Sequence, residues 1–418
     1  MAKLEIIGGK KLSGNLKVAG NKNSALPIMA AALLADGVCE IENVPNISDV
    51  KTMIDLMKLS EVKINVVDTS KLIINPQNIK NVEYPSVLTK KLRASVLLIA
   101  PLLAKFGKVK IGYPGGDIIG RRSLGAHVQV FTSLGAKVET DNDFVTVSAT
   151  MLKGAEIFLE EASVTATENA LIAASVASGK TLIKRAATEP HIVDLCEFLI
   201  KMGAIINGIG TSTLEVIGVN KLSGISHKIR PDHIEVGTFA ILGALTGDKV
   251  EIAPIVKEDL DMILLTLSKF GVDFKVDADK LIVKESKPKA IEKVVTGIWP
   301  GFPTDLMAPM IVLATQAEGM TILHDWMYES RMFFVDKLLS MDAKVEIADP
   351  HRVFVYGPTK LHGQDLDTPD IRAGMALVIA ALVAKGQSTI EKAELIERGY
   401  ENIVERLSAL GAKITKSA

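Results

Sequence analysis

Leu134-Gly135-Ala136-Lys137-Val138 decides how this chain is read, because it returns as Met341-Asp342-Ala343-Lys344-Val345 and as Leu410-Gly411-Ala412-Lys413-Ile414. Gly203-Ala204 and Phe270-Gly271-Val272 are shorter echoes of the same turn. These closing turns fall roughly 70 residues apart, too long for a solenoid repeat and long enough for a β-α-β-α-β-β unit. Upstream of each turn the order is constant: an apolar helix-like stretch, a small turn around Gly, a short β-type run, then a second amphipathic segment. The first copy has Ala25 to Leu34, Val38 to Ile41 and Val50 to Leu59; the second has Ala94 to Ala104, Val109 to Gly112 and Gly125 to Leu134. The third has Glu168 to Ala177, Thr181 to Lys184 and Ile192 to Met202. The fourth to sixth run from Glu235, Asp305 and Arg372 through Gly247, Gly319 and Gly386 to their turns.

The first helix of each copy is apolar nearly all round, which predicts a buried helix. The second carries charges such as Asp55, Lys58, Glu197, Lys201, Glu405 and Arg406 and should face water. Buried helices surrounded by sheet invert the usual barrel. The expected fold is therefore α/β: a two-domain inside-out α/β barrel of six β-α-β-α-β-β units around buried helices. A chain of 418 residues exceeds what one core holds. The break is expected near Ile229-Arg230-Pro231-Asp232, where a Pro fits a linker. That gives 21–229 as a first three-unit domain and 1–20 plus 230–418 as a second. The strand Leu4 to Gly8 is expected to pack with the later domain as a second crossover. Two similar domains with few crossings predict an active site in the cleft between them.

The formal net charge of −1 argues against a non-specific nucleic-acid or membrane-surface protein. Cys39 and Cys196 match no metal spacing and read as reduced, buried thiols. The opening residues lack the apolar core of a signal peptide, and the runs Ala94 to Ala104 and Ala373 to Ala384 are too short to span a bilayer. The expectation is a soluble cytoplasmic protein.

Function is expected to centre on Tyr113-Pro114-Gly115-Gly116-Asp117-Ile118-Ile119-Gly120-Arg121-Arg122. Pro and paired glycines make this a loop, and it carries one carboxyl ahead of two guanidiniums. Such a loop suits a lid that closes over an anionic substrate and supplies a proton, with a plain surface turn as the bland alternative. Charged residues also gather at the starts of the buried helices: Lys22 and Asn23, Arg93, Ser163 to Glu168, His233 and Glu235, Asp305, and Asp370 with Arg372. Arg331 and Arg398 fall where the last two outer helices should begin. One such residue alone would be a helix cap. Repeated, with Lys and Arg among them, they predict an anion-binding floor built on helix N-termini.

Several chemistries find no support. Ala177-Ser178-Gly179-Lys180-Thr181 imitates a P-loop tail, but the required upstream Gly is Ala174 and the order runs from helix to strand. No Gly-x-Gly-x-x-Gly follows a strand, the histidines show no metal spacing, and Gly-x-Ser-x-Gly is missing. The chemistry is left to Lys, Arg and carboxylates, with no metal and no cofactor.

The chain resembles the enolpyruvyl transferases, over essentially its whole length. The resemblance is carried by Gly20-Asn21-Lys22-Asn23-Ser24-Ala25, Leu92-Arg93-Ala94-Ser95, Pro114-Gly115-Gly116 and Phe302-Pro303-Thr304-Asp305. Glu329-Ser330-Arg331, Asp370-Ile371-Arg372-Ala373 and Arg398-Gly399-Tyr400-Glu401 complete it, and the loop carrying Asp117 with the Arg398-Gly399-Tyr400-Glu401 ending fits the nucleotide-sugar branch better than the shikimate branch. The family's fold has two domains of three units each around buried helices. The resemblance implies transfer of the enolpyruvyl group of phosphoenolpyruvate to the 3-hydroxyl of UDP-N-acetylglucosamine, through a tetrahedral ketal, with release of phosphate for peptidoglycan synthesis. It implies that Lys22, Arg122 and Arg398 hold the phosphate with help from Arg93, while Arg331 and Arg372 add positive field and hold carboxylates. Asp305 becomes the general base at the sugar hydroxyl, and Asp370 orients the arginines. Asn23, Ser163, Val164, Thr165, Met327 and Glu329 fall at substrate-contacting positions. The implied partners are these two small molecules alone, with no nucleic acid, no membrane, and a monomeric protein.

Three departures set this chain apart. Asp117 stands where most of the family carries the Cys alkylated by fosfomycin, which implies an Asp proton donor and insensitivity to that epoxide. Ser123-Leu124-Gly125-Ala126-His127 replaces the usual Pro-Val-Asp-Leu-His of the uracil pocket. Glu161 and His233 stand for a common Lys and Arg, which weakens the expected grip on a diphosphate. Alternatives are the same chemistry on another nucleotide or sugar, or a catalytically silent, ligand-sensing copy.

Overall fold

The structure is a computed structural model that describes residues 2–117, 119–120 and 122–417. It divides into two compact units. The first comprises Gly20–Gly116 and Arg122–Arg230; the second comprises Met1–Ala19, Asp117–Arg121 and Pro231–Ala418. The short piece Asp117–Arg121 thus belongs with the second unit although the chain on either side of it belongs to the first. Arg121, named above beside Asp117, lies outside the described residues.

The buried helices expected from the apolar stretches are α1 (Lys22–Ala31), α2 (Ile99–Phe106), α3 (Val164–Ala174), α4 (His233–Thr246), α5 (Met307–Gln316) and α6 (Ile371–Val383). In α4 every residue but Leu245 is fully buried, and in α6 every residue but Val383; the other four leave only end residues exposed or partly exposed. In the second unit α4, α5 and α6 pack on one another. Sheet covers the helices from outside, which is why they carry no polar face. A helix buried all round instead has to bring its polar groups to its ends, where side chains serve as caps. Asn21, Ser163, Asp232 and Asp370 cap α1, α3, α4 and α6 in this way.

Each unit has three four-stranded sheets built to one plan, a parallel pair followed by two antiparallel pairings. In the third repeat Glu156–Phe158 runs parallel to Lys180–Lys184, which pairs antiparallel with Thr213–Ile217, and that strand with Ile205–Asn207. The chain closes each unit by lending strands between distant repeats. Ser226–Lys228, at the end of the first unit, runs parallel to Cys39–Glu42 of its first repeat. In the second unit Leu12–Lys17 runs parallel to Gly247–Ala253 of the fourth repeat. The amino-terminal strand Lys3–Ile7 inserts between Gln387–Glu391 and Lys413–Ser417, completing the sixth repeat. Its Leu4 and Ile6 point into the core while Glu5 and Ile7 are exposed, the period-two pattern of a strand with one wet face.

Cys39 and Cys196 are buried free thiols, and burial pushes both up, Cys196 to about 12. Ala177–Gly179 forms the turn between α3 and Lys180–Lys184, with Gly179 left-handed at φ +94. Among the described residues no helix is long and apolar enough to cross a membrane, and no group of His, Cys, Asp or Glu is arranged to hold a metal ion.

Candidate active site

The second unit gathers most of the predicted carboxylates and arginines. Asp305 lies in the short turn Thr304–Leu306 before α5, behind Pro303, which cannot donate into the helix. Its Oδ1 accepts from Arg331 Nη2 at 2.9 Å, and its Oδ2 accepts from Arg372 Nε at 3.0 Å and Nη2 at 2.9 Å. Both arginine side chains are almost sealed from water, at 3% and 4% exposure, against 27% for Asp305. Burial works against the Arg331 charge, yet Asp305, Asp370, Asp325 and Tyr328 outweigh it and keep its pKa above the ordinary value. Arg372 is likewise held well above, against burial, by Tyr400, Asp305 and Asp232, and its guanidinium lies 5.3 Å over the Tyr400 ring.

Asp370 meets the arginines through the backbone and through its charge. Its Oδ1 accepts from the backbone N–H groups of Arg372 at 2.8 Å and Ala373 at 3.0 Å, so it caps α6 and thereby fixes the backbone of Arg372. Burial raises its pKa, with Asp117 adding to the rise and Arg331 opposing it. Asp117 and Asp370 are therefore electrostatic neighbours. Asp117 itself accepts from Arg398 Nη1 at 2.5 Å, both side chains being mostly covered. Arg398 corrects an expectation: it ends the short helix Ala393–Arg398 instead of opening the outer helix Ile403–Ala409. Glu329 packs against Gly120, where a side chain would collide with its carboxylate, and Ser330 N–H donates to the Ile119 carbonyl at 3.1 Å. Met327 N–H donates to Asp325 at 3.0 Å.

In the first unit Arg93 and Arg122 both flank Gly116. A Cβ built on that glycine would stand 2.9 Å from Arg122 Nη2 and 2.9 Å from Arg93 Cβ. Arg93 Nη2 donates to the Ser123 carbonyl at 2.9 Å. At Gly115 a Cβ would meet the Lys90 carbonyl oxygen at 1.7 Å. The paired glycines therefore allow close backbone approach, and Gly116 also takes a left-handed φ of +116. Lys22 opens α1 and its Nζ sits 3.4 Å from the buried carboxylate of Asp49. Asn23 follows it in the same first turn, half-buried.

Ser163 caps α3, accepting from Ala166 N–H, and Val164 and Thr165 form that helix's half-buried first turn. Thr165 Oγ1 lies 3.1 Å from His127 Nε2, whose Nδ1 lies 3.0 Å from Asn169 Nδ2. The amide nitrogen can only donate, so Nδ1 accepts and Nε2 carries the proton toward Thr165. Burial, then Arg93, pushes His127 down to about 3, so it is neutral. His233 is pushed to about 4 by burial and by Arg372, with Asp305 opposing, and lies edge-on to Trp299. It supplies no cation where one was expected from the family pattern. Glu161 is exposed.

Asp49, Asp325 and Tyr400 were not among the predicted functional residues. Tyr400 sits inside a quoted motif, but the other two carry no local signal beyond being acids in apolar surroundings.

The family model for EPSP synthase (3-phosphoshikimate 1-carboxyvinyltransferase) matches residues 6–407. The UDP-N-acetylglucosamine 1-carboxyvinyltransferase of Treponema denticola is 44% identical, covering 98% of both chains. That of Borreliella burgdorferi is 46% identical over 98% of this chain and 97% of its own. Among solved structures, the enolpyruvyl transferase NikO from Streptomyces tendae superposes with a TM-score of 0.90 at 25% identity, covering 100% of this chain and 99% of its own. An EPSP synthase from Acinetobacter baumannii shares the fold at a TM-score of 0.79 and 18% identity, over 100% of both chains. With relatives matching end to end, the chain is an enzyme of the enolpyruvyl transferase family and belongs within it to the UDP-N-acetylglucosamine 1-carboxyvinyltransferases.

Proposed function

We propose that the protein transfers the enolpyruvyl group of phosphoenolpyruvate to the 3-hydroxyl of UDP-N-acetylglucosamine, releasing phosphate. The observation that carries this reading is the pairing of each candidate reactive carboxyl with arginines, Asp117 with Arg398 and Asp305 with Arg331 and Arg372. Groups so placed stand where substrate anions would otherwise go. The phosphate takes Arg398 from Asp117, aided by Lys22, Arg122 and Arg93, and the substrate carboxylate takes up Arg331 and Arg372. Asp117 then faces Asp370 and a phosphate, and that concentration of negative charge favours its proton-bearing form. It gives the proton to the methylene carbon while the sugar oxygen bonds to the adjacent carbon and Asp305 accepts the hydroxyl proton. The tetrahedral ketal loses a proton from the new methyl group and phosphate from the neighbouring carbon. Fixed cations stabilise the shifting charge without reorganising. Asn23, Ser163, Val164 and Thr165 contact the nucleotide sugar, and Met327 and Glu329 bind substrate.

This reading supports a cytoplasmic monomer at the first committed step of peptidoglycan synthesis, on which cell shape and division depend. It also supports insensitivity to fosfomycin, since a carboxylate is a far poorer trap for an epoxide than a thiolate. Asp117→Cys should create time-dependent inactivation; wild-type inactivation with label on Asp117 would contradict the assignment. The neutral His233 and exposed Glu161 favour a second reading in which the acceptor is another nucleotide or sugar. Phosphate release on mixing phosphoenolpyruvate with UDP-N-acetylglucosamine decides. Release with that acceptor supports the first reading and release only with others the second, while binding without release points to a silent, ligand-sensing copy.

A further inference from the structure

We infer that Asp325 is a positioning residue that sets the distance between Asp305 and Arg331. The inference rests on the enolpyruvyl-transfer reading and adds to it the group that holds the proposed base in place. Asp325 follows the strand Gly319–His324 and is completely buried, at 0% exposure. A carboxylate in that environment is tolerated only when its oxygens are well supplied with donors. Here Oδ1 accepts from Thr296 Oγ1 at 3.1 Å and Met327 N–H at 3.0 Å, and Oδ2 accepts from Thr304 Oγ1.

The three donors come from three segments. Thr304 begins the turn whose next residue is Asp305. Met327 begins the stretch that reaches Arg331 four residues later. Thr296 forms a bridge with Phe302, and its carbonyl accepts from Trp326 Nε1 at 2.7 Å, so the third segment is tied to the other two. One carboxylate therefore joins the backbone carrying Asp305 to the backbone carrying Arg331. Asp325 is itself fixed: its N–H donates to the His351 carbonyl at 2.9 Å, and its own carbonyl takes His351 Nδ1 at 2.7 Å. Among the groups assigned to substrate, Asp325 is bonded to Met327 alone, and there only to the backbone N–H. It acts through the Asp305–Arg331 separation, and reacting groups tolerate little displacement.

The test compares kcat and KM for phosphate release in wild type, Asp325→Ala, Asp325→Asn and Thr304→Val. Wild-type turnover tests the enolpyruvyl reading by itself; the variants then bear on Asp325 alone. Asp325→Ala is expected to lower kcat about a hundredfold, far more than it changes either KM. Asp325→Asn should stay within about fivefold, because its amide oxygen still accepts from Thr296 and Met327 while its nitrogen donates to Thr304 Oγ1. Thr304→Val removes one of three bonds and should cost about tenfold in kcat. Wild-type kcat in Asp325→Ala or Thr304→Val overturns the inference. So does an Asp325→Asn defect as deep as that of Ala, which would make charge and not placement the active property. If wild type does not turn over, a crystal structure of Asp325→Ala decides, or of Thr304→Val should the former not fold. Loss of the 2.9 Å contact between Asp305 Oδ1 and Arg331 Nη2 is expected, and its retention overturns the inference.

Discussion

Removing the Asp305 carboxylate leaves two buried guanidiniums without the acid that joins them. Arg331 and Arg372 are 3% and 4% exposed, so neither recovers solvation by a small movement. Deleting one partner of a buried ion pair costs about 3–5 kcal/mol, and since Asp305 is 27% exposed the lower end applies, about 3 kcal/mol for Asp305→Ala. The assay is urea unfolding followed by a signal from the second unit, with and without phosphoenolpyruvate. The ligand should stabilise Asp305→Ala more than wild type, because its carboxylate supplies the missing countercharge to both arginines. Turnover should fall by about 10²–10⁴, the usual contribution of a general base. A variant within about 0.5 kcal/mol of wild type would refute the reasoning, since it would mean that the arginines are balanced without Asp305.

The buried histidines predict an acid-side loss of stability. His127 and His233 have folded values of about 3 and about 4, below the ordinary 6.5, so the unfolded chain binds protons that the folded one refuses. Their contribution is whole above pH 6.5 and is lost as pH falls toward those values, by at most about 1.4 kcal/mol per pH unit for each histidine. Urea midpoints from pH 7 to 4 should fall less steeply for His127→Gln than for wild type, and equal slopes would count against it. Gly115→Ala places a methyl group 1.7 Å from the Lys90 carbonyl, so the loop backbone must shift, and turnover should drop about tenfold or more. Turnover close to wild type would show that the close approach is unimportant. Glu168 is buried and its carboxyl is held well above the ordinary range by burial and by Glu189. Glu168→Gln should therefore gain on wild type as pH rises above the ordinary carboxylate value, where the unfolded chain releases a proton that the folded chain retains; a constant difference between the two proteins across pH would refute this.

The repeat was legible because each buried helix has to be apolar on every side, and that pattern survives in a linear reading of Ala25–Leu34 or Arg372–Val383. The amino-terminal strand was legible as Leu4 to Gly8 packing with the later domain, but its insertion between two particular strands of the last repeat is a closure that no local pattern encodes. Helix-start residues such as Lys22, Asp305 and Arg372 could be named because helix N-termini collect functional groups. What they touch could not. That Asp370 reaches Arg372 through the α6 backbone N–H groups is a detail that only the fold supplies. Arg398 reads as the start of a helix and ends one instead. Asp49 and Asp325 sit in ordinary segments, and only the fold brings the first to Lys22 and the second to Thr304 and Met327. Gly115 and Gly116 give no sign in sequence of how closely they pack, which the nearby Lys90 carbonyl and Arg93 reveal.

The central claim is that Asp117 gives up its hold on Arg398 to the substrate and then supplies the proton. Steady-state phosphate release by wild type and Asp117→Asn, with phosphoenolpyruvate and UDP-N-acetylglucosamine, tests it most directly. The account predicts that the variant loses about 10²–10⁴ in kcat while its KM for phosphoenolpyruvate stays level or falls, because Arg398 is released in advance. An Asp117→Asn enzyme turning over within about tenfold of wild type would contradict it.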